Sequence, residues 1–275
     1  MVNTADEERV QENMTAVNEE IADLTPDVVF LQEVDRDAKR SHYINEQELI
    51  RDAQSGYCDT FANNFKVCYV PYPLPTIGKV DSGILTLSKY DVTDTRRFAL
   101  PCPFSYPVRT ANLKRCLMID RIPIEGSDKE LVLVNLHLEA YDNGEGKEKQ
   151  TKMLQEILQM EVDDGNYVIA GGDFNQVFSG VDTSAYPLIS EDLWQPGEID
   201  TDLFGDDLNF ETDNRVPSCR SLDQPYEGAD HEKFQYYLID GFIVSSNVTV
   251  ESVETQNLAF KNADHNPILM KVKLN

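Results

Sequence analysis

Tyr167-Val168-Ile169-Ala170-Gly171-Gly172-Asp173-Phe174-Asn175 decides how this chain is read. Four residues of strand type run into a glycine pair, and a carboxylate and an amide follow at once. The apolar run predicts a buried strand, and the glycines predict its end. Asp173 and Asn175 then stand at the strand's rim. Taken alone, Gly171-Gly172-Asp173 reads as a tight turn. Working outward, the same arrangement recurs. The apolar run 28–31 enters Gln32-Glu33-Val34-Asp35, and the run 131–134 enters Asn135-Leu136-His137. Ile239-Asp240-Gly241 lies inside the strand-like stretch 237–245. Asp264-His265-Asn266-Pro267 precedes the final run, 268–274. Packing fixes the backbone at strand ends while side chains meet in a cleft, so such rims can hold a reacting constellation.

The rest of the chain supplies the layers around these rims. Val10, Met14, Val17, Ile21 and Leu24 form one apolar stripe, which predicts a helix over 7–24. Met153, Leu154, Ile157 and Leu158 predict another over 147–162. Further strands are expected at 84–87, at 116–124 and at 248–254. Two stretches lack periodicity, 63–80 with Pro71, Pro73 and Pro75, and 180–233. The first is read as a long ordered loop and the second as an irregular loop; such segments in a compact domain are usually functional or mobile. Strands resume on either side of each without a Ser/Gly-rich spacer. Residues 1–275 therefore read as a single domain.

The rim inventory suits one chemistry. A hard divalent cation takes carboxylate oxygens and water, and Mg²⁺ often uses only one or two protein carboxylates. Glu33 can supply one. An imidazole beside a carboxylate makes a polarised base, and Asp240 with His265 can form that pair. Asp173 and Asn175 can orient a water and bind a phosphoryl oxygen. Each has a bland alternative. Glu33 alone is an ordinary turn acid, His137 a satisfied core histidine, and Asp264 to Pro267 a turn. Two of the chain's four histidines nevertheless fall within these rims. Together the residues describe metal-assisted hydrolysis of a phosphate ester.

Charge narrows the substrate. The chain carries 49 acidic and 24 basic side chains, a formal net charge of -25. Such a surface repels phosphate backbones at long range and disfavours nucleic acid as a partner. Fourteen of the acids, against three bases, lie in 180–233. Arg96, Arg97, Arg109, Lys114 and Arg115 cluster in sequence, as a phosphate-binding strip or as solvated surface. The five cysteines, at 58, 68, 102, 116 and 219, form no Cys-x-x-Cys pair. A reducing, cytoplasmic setting is therefore expected, or a secreted form if a signal sequence precedes this chain. No apolar run is long enough for a transmembrane helix. No protein partner is readable.

The ordered blocks L-Q-E-V-D, N-L-H-L-E-A, G-G-D-F-N, I-D-G-F and D-H-N-P resemble the endonuclease/exonuclease/phosphatase superfamily, the deoxyribonuclease-I-like proteins. They span Gln32 to Pro267. The resemblance implies a four-layered α/β sandwich, two mixed β-sheets packed face to face with helices outside. It implies Mg²⁺, with Mn²⁺ as an alternative, on Glu33 and Asp264. His137 would hydrogen-bond or protonate near the scissile phosphate. Asp173 would orient or deprotonate the attacking water, and Asn175 would hold a phosphate oxygen. Asp240 would align His265, which would act as general base or stabilise the phosphorane. Arg115 would bind phosphate, and Ser218-Cys219-Arg220 resembles the short block before the I-D-G strand. The family's opening strand, ending in an asparagine, has no counterpart. Asn3 follows no apolar strand, and the chain reads as N-terminally truncated relative to the family.

The expected function is a divalent-metal-dependent phosphoesterase acting on a phosphorylated small molecule or lipid head group. A nuclease is the alternative, and an inactive binding protein of the same fold a further one.

Overall fold

The computed structural model describes residues 5–142 and 144–275; Asn3 lies outside the described residues. The chain forms two compact units, one ending at His137 and the other spanning Leu138–Asn275.

The first unit opens with helix α1 (Glu7–Leu24), whose N-cap Asp6 accepts from the Arg9 N–H. Its buried stripe is Val10, Met14 and Ile21. Strand β1 (Val28–Asp35), helix α2 (Glu46–Ala53), and strands β2 (Cys58–Val70) and β3 (Gly78–Ser88) follow. β3 is central and pairs antiparallel with both β1 and β2. A second antiparallel run comprises β4 (Asp94–Ala99), β5 (Cys116–Pro123) and β6 (Glu130–His137).

Alternation along β3 explains how this unit is layered. Leu85 and Leu87 join Met14, Ile21, Val34 and Ile50 in the core under the helices. Ile84, between them, joins Ala62, Cys116 and Met118 in the core between the sheets. Polar ties cross the same layer. Asn135, wholly buried on β6, donates to the Leu85 carbonyl at 2.9 Å and accepts from Gln32 at 2.9 Å. Asp120, also wholly buried, accepts from Thr60 at 2.9 Å and Thr95 at 2.6 Å. Helix, sheet and facing sheet make up the α/β-sandwich class that the resemblance implies.

The second unit holds helix α3 (Glu145–Asp163) against β7 (Tyr167–Asp173). β7 pairs with β13 (Asp240–Ser245), which pairs with β10 (Leu208–Glu211). Short strands β8 (Gln176–Phe178) and β9 (Gly197–Ile199) run parallel. β11 (Cys219–Arg220) pairs with β12 (Tyr236–Tyr237), and β14 (Val248–Thr255) with β15 (Ile268–Leu274).

Several expectations need correction. The stretch 63–80 is not one loop: β2 runs to Val70 and β3 starts at Gly78. Register shifts at Asn63/Phe65 and Val67/Val70 break the alternation that would have shown the strand. The strand expected over 237–245 breaks between β12 and β13, where Ile239 offers its carbonyl to Phe174. The 180–233 stretch is mostly loop, as read, yet β10 inside it joins the sheet. α2 and β4 carry little buried surface and left no periodic signal.

Cysteine placement follows the same packing. Cys58, Cys68 and Cys102 are exposed, whereas Cys116 and Cys219 are buried. Burial pushes the Cys116 thiol up to about 11 and the Cys219 thiol up to about 12.

Candidate active site

In the first unit the rim of β1 is made by a bulge. The β1–β3 register shifts between Leu31 and Val34, and Glu33 adopts φ 57°. That left-handed backbone is costly for a residue with a Cβ and is typical of functional positions. Opposite the bulge stands Gly83, paired with Val34. A Cβ there would meet the Ala62 carbonyl oxygen at 2.3 Å and the Phe61 ring at 2.5 Å. Only glycine lets β2 and β3 approach so closely at this point.

The bulge turns the Glu33 carboxylate toward Arg40, whose Nη1 donates to it at 2.5 Å. Arg40 also forks onto Asp35 through Nε and Nη2, each at 2.9 Å. The Glu33 side chain is 54% exposed, and that of Asp35 only 2%. Arg40, opposed by burial and helped by His137 and Arg115, holds the Glu33 carboxyl well below the usual carboxylate range. Glu33 is thus ionised throughout the physiological range. His137, at the end of β6, and Arg115, just before β5, are both buried at 3% exposure. Sequence reading named Asp35 only as part of the rim block and missed Arg40, an arginine seven positions after Glu33.

Two members of the cationic cluster near 96–115 are engaged within the chain. Arg96 pairs with Asp94 at 2.7 Å. Arg97 spends its guanidinium on the carbonyls of Asn63 and Lys114.

In the second unit the segment 264–266 is laced along 217–220. Arg220 N–H donates to the Asp264 carbonyl, and Asn266 N–H to the Ser218 carbonyl. Cys219 forms a β-bridge with His265. Ser218, wholly buried, accepts from the N–H groups of Ile239 and Asp240 at 3.0 and 3.2 Å. These bonds bring His265 Nδ1 to 2.8 Å from Asp240 Oδ2. The other ring nitrogen, Nε2, lies 4.0 Å from Asp173 Oδ2. Burial disfavours the imidazolium, but the Asp240 carboxylate outweighs it and raises the His265 pKa well above the ordinary histidine value.

Asp173 closes β7, and Asn175 follows with φ 51°. The Asn175 N–H donates to Asp173 Oδ1 at 2.8 Å. Its side-chain amide donates to Asp173 Oδ2 at 3.1 Å and to the Leu138 carbonyl at 3.0 Å. Asn175 therefore fixes the Asp173 carboxylate through both oxygens. The Asp264 carboxylate is half-buried.

The matched family model, Endonuclease/Exonuclease/phosphatase family, covers residues 2–259. The chain belongs to that family. Its members are generally hydrolases of phosphate esters. No curated protein matches the chain. Among solved structures, the endonuclease/exonuclease/phosphatase from Beutenbergia cavernae is 18% identical, with a TM-score of 0.66 over 95% of this chain. The match covers 66% of that protein's length. The human nocturnin catalytic domain with bound sulfate anion is 17% identical, with a TM-score of 0.58 over 96% of this chain and 87% of its own. Truncated Caenorhabditis elegans TDP2 is 18% identical, with a TM-score of 0.59 over 96% of this chain and 91% of its own. At these identities the likeness carries the deoxyribonuclease-I-like fold. Among the described residues no helix is long and apolar enough to cross a membrane.

The donor chemistry fits the divalent cation implied by the family. Glu33 is an ionised, half-exposed carboxylate on a fixed backbone. Among the described residues no group of three or more His, Cys, Asp or Glu side chains could cage a metal. Mg²⁺ keeps water and substrate oxygens among its ligands and often uses only one or two protein carboxylates.

Proposed function

We propose that the chain hydrolyses a phosphate ester, diester or monoester, by in-line attack of a water activated at Asp173. The observation that carries this reading is the paired contact of one ring: His265 Nδ1 on Asp240 at 2.8 Å and Nε2 facing Asp173 at 4.0 Å. A gap of that length exceeds a hydrogen bond, which leaves Nε2 and Asp173 able to share a third group. In this reading a phosphoryl oxygen or the attacking water fills it.

The roles follow from the protonation states. Asp173, held through both oxygens by Asn175, orients the water and takes its proton. His265, kept cationic by Asp240, neutralises charge on the equatorial phosphoryl oxygens. That chooses phosphorane stabilisation over general base for His265. Asn175 acts chiefly by fixing Asp173, its amide hydrogens being given to Asp173 and Leu138. His137 and Arg115, both buried in the first unit, would offer hydrogen bonds to the phosphate. Each within its own unit, Glu33 and Asp264 are carboxylates able to ligate Mg²⁺ or Mn²⁺, an ion that would supply Lewis-acid neutralisation of a phosphoryl group.

A small phosphorylated molecule or a lipid head group is favoured over nucleic acid. The support is the net charge of -25 and the internal use of Arg96 and Arg97. The nocturnin domain of the same fold was solved with a bound sulfate anion, an oxyanion of related geometry.

The test is turnover with Mg²⁺ or Mn²⁺ on a chromogenic phosphodiester, sphingomyelin and plasmid DNA. Glu33→Ala and Asp173→Ala should each lower the rate about a hundredfold or more. Cleavage of plasmid without cleavage of small esters would replace this reading with a nuclease. No turnover on any substrate would favour a binding role.

A further inference from the structure

Glu33 is satisfied in this structure by a cation of the chain itself. Arg40 Nη1 donates to the Glu33 carboxylate at 2.5 Å, and Nη2 reaches the Glu33 carbonyl at 3.3 Å. The same guanidinium is forked onto Asp35 by two bonds of 2.9 Å and lies 3.4 Å from Ser82 Oγ. The two carboxylates differ in surroundings. Asp35 is 2% exposed at its side chain, and its N–H is bonded to Glu46 at 2.8 Å. Glu33 is 54% exposed. The guanidinium therefore has a buried, bidentate anchor and a solvent-facing end. Bidentate Arg–carboxylate pairs are the more persistent kind, and half-exposed single contacts are readily exchanged.

Glu33 can be released without loss of either partner's place. Its backbone lies in the bulge between Leu31 and Val34, within the β1–β3 pairing. Arg40 keeps both Asp35 bonds when Nη1 lets go. We infer that Arg40 is an exchangeable internal counter-ion for Glu33: it neutralises the carboxylate when no metal is bound, yields it to a divalent cation, and stays anchored on Asp35. This rests on reading Glu33 as a metal ligand. It goes beyond that reading in making metal loading a competition inside the chain. The cation must displace one charge-assisted hydrogen bond and approach a fixed positive charge. Both lower its apparent affinity, as any competing occupied state does.

The experiment is direct Mn²⁺ binding, read by electron paramagnetic resonance of the free ion, with Mg²⁺ by calorimetry. The proteins are the native chain, Glu33→Gln, Arg40→Met and the double variant Asp35→Asn/Arg40→Met. Arg40→Met alone strands the buried Asp35 carboxylate and can fail to fold; the double variant removes both charges together. Loss of the competitor should tighten binding about three- to tenfold in whichever Arg40 variants retain the native circular dichroism. Glu33→Gln should weaken it about tenfold or more. Unchanged or weaker binding in the folded Arg40 variants, with Glu33→Gln still impaired, overturns the exchange and leaves Glu33 as ligand. Equal binding by native and Glu33→Gln, or none by either, removes the metal assignment and the exchange together.

Discussion

Replacing His265 by alanine should cost about two powers of ten in kcat/KM near neutral pH, and the figure can be built from the geometry. The ring is fixed by Asp240 at 2.8 Å, and Nε2 faces Asp173 Oδ2 at 4.0 Å. Asp240 raises the imidazole's pKa well above the ordinary value against the cost of burial, so the ring is charged at neutral pH. A unit positive charge about 4 Å from charge developing in the transition state is worth about 4 kcal/mol at an effective dielectric of about 20. The side chain is 31% exposed. Solvent screening trims the term to about 3 kcal/mol, or somewhat over a hundredfold in rate. Asp240→Asn separates charge from shape, since the ring remains while its protonating partner is neutralised. The sign is fixed by the raised pKa. The active cation persists until pH rises through that elevated value, so the native alkaline limb lies above the usual histidine range. In Asp240→Asn the limb should move to lower pH, with the acid-side plateau near native. The assay is kcat/KM on a chromogenic phosphodiester from about pH 5.5 to 9, beside circular dichroism of each variant. His265→Ala retaining a third or more of native turnover would refute the reasoning. So would an Asp240→Asn limb that stays in place or moves upward.

Three further outcomes follow from the same structure. Burial raises the Asp120 pKa against hydrogen bonds from three threonines, so the stability it contributes is full below the unfolded value and is lost as pH rises through the folded one. Urea midpoints should show the native chain losing ground to Asp120→Asn as pH rises above the ordinary carboxylate value; a pH-independent difference would count against it. Gly83→Ala would drive a Cβ into the Ala62 carbonyl and should cost about 2–3 kcal/mol in urea unfolding, whereas a change below about 0.5 kcal/mol would show the strands can part. Asn175→Gly and Asn175→Ala both remove the bonds to Asp173 and should both slow turnover. Only alanine keeps the strain at φ 51°, so it should be less stable by about 1 kcal/mol, and equal melting temperatures would argue otherwise.

The rims were legible because each couples two signals, an apolar run and an abrupt polar block. Val168, Ile169 and Ala170 are buried, and Asp173 closes their strand. Ile84, Leu85 and Leu87 were readable as a strand because both faces of β3 are covered, by helices on one side and a sheet on the other. β2 was not, since two register shifts scramble its alternation and proline follows it. α2 is eight residues long and buries only Ile50. At the site, block residues and the Asp240–His265 pair were nameable, but the supports of Glu33 were not. Arg40 meets Glu33 through a bulge that inverts the local backbone, and no sequence period encodes that contact. Asn175 illustrates a different limit. Its type suggested a phosphate ligand, and its geometry shows an amide directed at Asp173.

The two buried thiols give the molecule a pair of built-in clocks. Cys116 belongs to the first unit and Cys219 to the second. Both are shielded, and both are far from ionised at neutral pH, so alkylating reagents reach them only when the surrounding backbone opens. Cys58, Cys68 and Cys102 react at the surface and mark zero time. Pulsed alkylation followed by peptide mass mapping would therefore time the opening of each half of one polypeptide in a single tube, without an introduced label.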